Sequence, residues 1–148
     1  MAVIKFDTSE LSGFLKNLAA ALGKNIEFRQ ALAEAGDAAA EGMKERTRSG
    51  RDIEHKPFVS YKSKDGKKGD LCSSGRMLDS IEAGVVSDTE AIVGIFDPVE
   101  RRKAIAHQLG LGKLPRRRFF GLSDKDTGTL GTIVRIFASH VDRAVERF

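Results

Sequence analysis

The chain closes on a stripe of apolar residues, Leu130, Ile133, Val134, Phe137, Val141, Val145 and Phe148, repeating every three or four positions. That spacing places all seven on one face of an α-helix, and so wide an apolar face has to be buried against another element. The sequence offers two helices for it. Leu11, Phe14, Leu15, Leu18 and Leu22 repeat in the same way after an Asp7-Thr8-Ser9-Glu10 start signal, with Gly23 as the stop. A second helix is expected from about Ile26 to Arg48, capped by Asn25, with Phe28, Leu32, Ala35, Ala39 and Met43 on one face. Its alanine-rich middle favours helix and lets a neighbour approach closely. Gly36 and Gly42 weaken it by about 1 kcal/mol each relative to Ala.

The remaining regular structure reads as short strands and short helices. Residues 2–6 alternate well enough for a first strand. Residues 82–87 and 91–96, rich in Val and Ile and separated by Asp88-Thr89-Glu90, have the pattern of a hairpin. A short helix capped by Ser73 or Ser74 leads into it, and Asp97-Pro98 opens another that ends near Gly110. Residues 110–122 read as an extended arm leading into a strand, and Ser123-Asp124-Lys125-Asp126 caps the last helix. The sum is a single α+β domain over residues 1–148: a small antiparallel sheet packed by N-terminal helices and a long C-terminal helix. With no Trp and one Tyr, its nine Phe must supply most of the aromatic core.

From 49 to 73 the periodicity disappears, and glycine, lysine and aspartate take over. A loop of that length in a compact domain tends to be functional or disordered, with Phe58, Val59 and Tyr61 tacking it down. Its lysines Lys62, Lys64, Lys67 and Lys68, with the run Arg116-Arg117-Arg118, carry the basic character behind the net charge of +4. Such patches suit nucleic acid or an acidic protein partner, and a solvated Lys/Gly loop has the same composition.

Catalytic patterns do not emerge. Cys72 is alone, so no intrachain disulfide can form, and it is expected to pack as a small hydrophobe. His55, His107 and His140 lie far apart and outside any metal-ligand spacing, and no glycine-rich phosphate loop is present. Asp124 and Asp126 fall at a helix start, where the helix dipole accounts for them. His107 falls at a helix end, where a cationic or hydrogen-bonding side chain is favoured. The reading is of a protein that is not an enzyme and needs no cofactor. No apolar run reaches the length of a membrane span and the first residues lack the pattern of a signal peptide, so cytoplasmic synthesis without membrane contact is expected.

Four segments, taken in order, resemble the virion morphogenesis and tail completion proteins of Mu-type and related long-tailed phages. The first is Gly50-Arg51-Asp52-Ile53-Glu54-His55-Lys56-Pro57-Phe58, followed by Tyr61 and the Lys/Gly-rich run. The second is Leu71-Cys72-Ser73-Ser74-Gly75-Arg76-Met77-Leu78-Asp79-Ser80-Ile81, similar to the family's small–Gly–x–Leu–x–Ser–Ile stretch. The third is Val93-Gly94 followed by Ile105-Ala106-His107-Gln108-Leu109-Gly110. The fourth is Leu114-Pro115-Arg116-Arg117-Arg118-Phe119-Phe120-Gly121-Leu122-Ser123-Asp124, resembling a signature of Pro, Arg, Phe, Gly and Ser before the last helix. Where the family often has Pro-Ala-Arg-Pro-Phe, this chain has Pro115-Arg116-Arg117-Arg118-Phe119, a less rigid and more charged arm.

The resemblance implies a part made in the host cytoplasm and built into the virion as a ring at the neck or tail top. Its partners would be copies of itself, other neck, connector or tail proteins, and the packaged DNA in the channel. Loop 49–73 and arm 110–122 are the segments expected to reach neighbours. Arg116, Arg117 and Arg118 would then pair with acidic groups across a subunit interface, and Phe119 and Phe120 would anchor the arm in an apolar pocket. The alternative is a basic nucleic-acid-binding module, although the sequence has no stacking platform, helix-turn-helix or zinc-finger spacing.

Overall fold

A computed structural model describes residues 4–7, 9, 10, 13, 16, 17, 28–59, 71 and 75–146. In chain order these form β1 (Ile4–Asp7), α1 (Arg29–Arg48), α2 (Arg76–Asp79), β2 (Ile81–Val85), β3 (Glu90–Ile95), α3 (Pro98–Leu109) and α4 (Thr127–Glu146). Residues 9, 10, 13, 16 and 17 are helical, on the segment where the first helix is expected. The apolar stripe of that helix, Cys72, Ser73, Ser74 and the four lysines Lys62, Lys64, Lys67 and Lys68 lie outside the described residues.

The fold is α+β. The three strands form one antiparallel sheet in the order β1-β3-β2. The hairpin register pairs Ile81 with Ile95, Ala83 with Val93 and Val85 with Ala91, and β1 pairs Ile4 with Val93 and Asp7 with Glu90. Because side chains alternate along a strand, Ala91, Val93 and Ile95 share one face, and all three are buried. α1 lies across that face. A Cβ on Gly36 would stand 2.8 Å from the Cβ of Ala83, so glycine is what lets the helix settle onto β2.

α1 is also the helix against which α4 packs. Phe28 and Ala31 of its N-terminal end meet Ile136, Phe137, Val141 and Ala144, with the rings of Phe28 and Phe137 at 6.2 Å between centroids. Further along, a Cβ on Gly42 would stand 2.9 Å from the Cβ of Thr129 in the first turns of α4. The two glycines that weaken α1 in isolation are thus both points of close approach to a neighbouring element. Met43, Leu78, Ile81, Ile95, Phe119 and Phe120 complete the main core. Full burial of each such side chain contributes roughly 1.5–3 kcal/mol.

Local signals explain several boundaries. Asp97 caps α3 through its carboxylate, which accepts from the amides of Val99 and Glu100 at 2.9 Å, and Pro98 takes the first helical position. Gly110 ends the helix with φ +67, in the left-handed region. α1 begins three residues later than expected, with Phe28 at its cap position and no side-chain cap. At α2 the cap position belongs to Gly75, at φ +73, with no side-chain cap bond.

Two expectations are corrected. No strand forms among residues 110–126, because their backbone bonds go to several separate elements and not to one neighbouring strand. Nor is the beginning of the 49–73 loop structureless. The amide of Asp52 donates to the carbonyl of Lys56 at 2.9 Å, and that of Phe58 to Gly50 at 2.9 Å. The Asp52 carboxylate accepts from the amides of Glu54 and Lys56, closing a tight loop with His55 at its tip in the left-handed region, φ 60.

Candidate functional site

The segment 110–126 is held down almost throughout. The amide of Arg117 donates to the carbonyl of His107 at 2.8 Å, and the amide of Ile53 to Arg118 at 2.8 Å. The Gln108 side chain brackets Phe120, accepting from its amide at 3.1 Å and donating to its carbonyl at 3.3 Å. Phe119 is fully buried and Phe120 nearly so, edge to face at 6.4 Å. The expected projecting arm is therefore a strap laid over its own core. A left-handed Gly121 lets it pass Ile53, whose Cδ1 would sit 2.7 Å from a Cβ there.

This corrects the roles expected of three of the five arm residues. Phe119 and Phe120 fill this chain's own core and are not available to a neighbour. Arg117 is 3% exposed, with its guanidinium donating to the Val59 carbonyl at 3.0 Å and lying 5.9 Å from the centre of the Phe58 ring. Alternation along an extended segment turns the other two arginines outward. Arg116 is exposed, and Arg118 is half-buried beside Glu54 at 3.9 Å.

Beneath the strap is an ionic node that the sequence reading missed. Arg46, in the last turn of α1, is 6% exposed. One of its terminal nitrogens meets both oxygens of Asp126, at 2.9 and 2.7 Å. The other donates to the strap carbonyls of Phe119 at 2.6 Å and Gly121 at 3.0 Å. Asp126, just before α4, also accepts from the amide of Ser123 at 2.8 Å and faces Nε2 of His55 at 2.9 Å. The Ser123 hydroxyl completes the ring by donating to the Ile53 carbonyl at 2.7 Å. The helix dipole thus accounts for exposed Asp124 but is not the main partner of buried Asp126.

The charges at this node are fixed by their surroundings. Burial alone would push the Asp126 carboxyl up. The Ser123 amide, His55 and Arg46 outweigh it, and the net shift is downward from an ordinary value of 3.8. Arg46 and Asp126 therefore form a buried pair with extra hydrogen bonds, the kind whose loss of one partner is costly. His107 is displaced the other way in chemical sense: burial first, then the nearby Arg117 charge, lower its pKa from 6.5. It lies half-buried under the strap, where its surroundings favour the neutral ring. Of the cationic or hydrogen-bonding character expected at the end of α3, the cationic form is therefore disfavoured.

Beside the node an open cleft of about 440 Å³ runs between α1 and the start of α4, edged by Glu41, Glu45, His55, Lys125 and Thr129. Its acidic and basic groups are mixed. Among the described residues no group of three or more His, Cys, Asp or Glu is placed to hold a metal ion. No helix among them is long and apolar enough to cross a membrane. Chemically, the node is a clamp tying α1, the 50–58 loop, the strap and α4 together. No protein-family model, curated protein or solved structure matches the chain.

Proposed function

We propose that this protein is a structural component of a tailed-phage particle, a tail completion or head–tail joining protein that assembles as a ring. One observation supports this reading above the others. The separate segments that resemble the family lie against one another in space: Ile53 bonds Arg118, Ser123 bonds Ile53, Arg117 bonds His107, and Gln108 brackets Phe120. Leu78 and Ile81 of the second segment share the core with Phe119 and Phe120.

In this reading Arg116 and Arg118 are the strap residues able to reach acidic groups of a neighbouring subunit, and the lysine-rich loop contacts a partner or the DNA of the channel. Phage deleted for this gene should give full heads and tails that fail to join, or tails of faulty finish, seen by electron microscopy. The wild-type chain should restore them, and the variant with Arg116→Glu and Arg118→Glu should fold yet fail to do so. Normal infectious particles from the deletion would overturn the reading. Tight, steeply salt-dependent binding of free DNA by the isolated protein would then favour a stand-alone nucleic-acid-binding module.

A further inference from the structure

α4 buries one side of its apolar surface against α1 and leaves another side open. Val134 is 65% exposed and Leu130 36%, while Ala138 is exposed and Phe137 and Val141 are half-buried. Ile133, Val134, Phe137, Ala138, Val141 and Asp142 line a shallow groove of about 450 Å³ along the helix, with Leu130 exposed beyond its end. It runs from Ile133 to Asp142, about 15 Å of the helix. These apolar side chains are grouped along one side of the helix and not scattered singly, which makes the strip a candidate docking surface.

We propose that this strip is an isologous interface in which α4 of one copy packs antiparallel on α4 of a second. Two features of the helix select a second copy in that orientation. The strip is centred on Ala138, small enough for close crossing, with Val134 four residues before it and Val141 three residues after. Turned about a two-fold axis at Ala138, Val134 of one copy meets Val141 of the other, and Ala138 meets its counterpart. Charge gives the second feature. Arg135 and Asp142 are seven residues apart, two turns, and so lie on the same flank of the strip. In an antiparallel pair equal flanks face each other, which sets Arg135 of each copy against Asp142 of the other, twice. A parallel two-fold pair would put equal flanks on opposite sides of the interface, and these charges would not meet. The surface is therefore self-complementary in both shape and charge. This inference stands whether or not the protein is part of a phage neck.

Sedimentation of the full chain over a concentration series tests it. The wild type should form a dimer, and Val134→Glu should be monomeric, with a thermal unfolding curve matching that of the wild type at concentrations too low to dimerise, since this side chain faces water in the single chain. Ala138→Arg should act in the same way and guards against a local effect of the first variant. Arg135→Glu or Asp142→Arg alone should weaken association by about tenfold at low salt, because each creates two repulsive contacts, and the double reversal should restore it. A wild type that stays monomeric throughout, or one whose oligomers are indifferent to Val134→Glu, would overturn the proposal. A double reversal no better than the single ones would overturn the antiparallel arrangement.

Discussion

Arg46 shows how much one side chain can organise when it is buried with its partners. It sits on the last turn of α1, where a basic residue suits the helix dipole and would ordinarily be solvated, yet it is enclosed by the strap and by Asp126. Replacing it by Met should cost about 3–5 kcal/mol in urea denaturation, because the buried Asp126 carboxylate loses its arginine and the Phe119 and Gly121 carbonyls lose their donor. Adding Asp126→Asn should recover part of the loss, since the stranded charge is then gone. Loss of the same order in the single and the double variant would argue against that charge as the cause. His107 gives a prediction in pH. Its folded pKa is lowered, so its contribution to stability is complete above about 6.5 and is lost as pH falls from there through the lower folded value. Unfolding midpoints at neutral and mildly acidic pH should therefore diverge, and His107→Gln should flatten the difference. Asp126 acts in a more acidic window: its contribution holds above about 3.8 and is lost as pH falls through its depressed value.

At the scale of elements, α1 is the helix that packs against β2, β3 and α4, and its glycines let it approach β2 and α4 closely. Helix propensity alone says that Gly42→Ala should stabilise by about 1 kcal/mol. Tertiary contact reverses the sign. The new Cβ would press on the Cβ of Thr129, a branch point that no rotamer change can move, so a net loss of about 1–3 kcal/mol is expected on thermal unfolding. Thr129→Gly in the same chain, which removes that Cβ, should relieve much of it, and a Gly42→Ala variant more stable than the wild type would contradict the close packing. The hairpin and α3 were readable because their signals are local: β-branched runs about a turn, and Asp97-Pro98 at a helix start. The strap was read as an extended arm but also as leading into a strand and reaching outward. Its Pro115 and Arg116-Arg117-Arg118 describe its local chain, whereas its bonds to His107, Gln108 and Ile53 are set by elements far away in sequence.

For the whole molecule, the strap ties α1, α3 and the 50–58 loop together, and its exchange behaviour should report this. The amides of Arg117 and Ile53 should exchange with solvent as slowly as the centre of α1, through global unfolding, since both donate at 2.8 Å within the packed unit. Rapid exchange there would mean that the strap lifts off independently. The sequence by itself determined the α+β class, the long closing helix, the hairpin and the capping of α3. Each of these rests on spacing or on residue preferences acting over a few positions, and such interactions do not depend on where the rest of the chain goes. Only the tertiary structure decided that Phe119 and Phe120 face inward, that Arg117 is enclosed while Arg116 is free, and that Arg46, His55 and Asp126 meet. Those residues come together across 71 to 80 positions of chain, and one sequence carries no signal for which distant charge will close on which. An arginine at a helix end and an aspartate at a helix start look the same in water as in the core. Burial, which makes the difference between a solvated charge and a clamp, is a property of the packed whole.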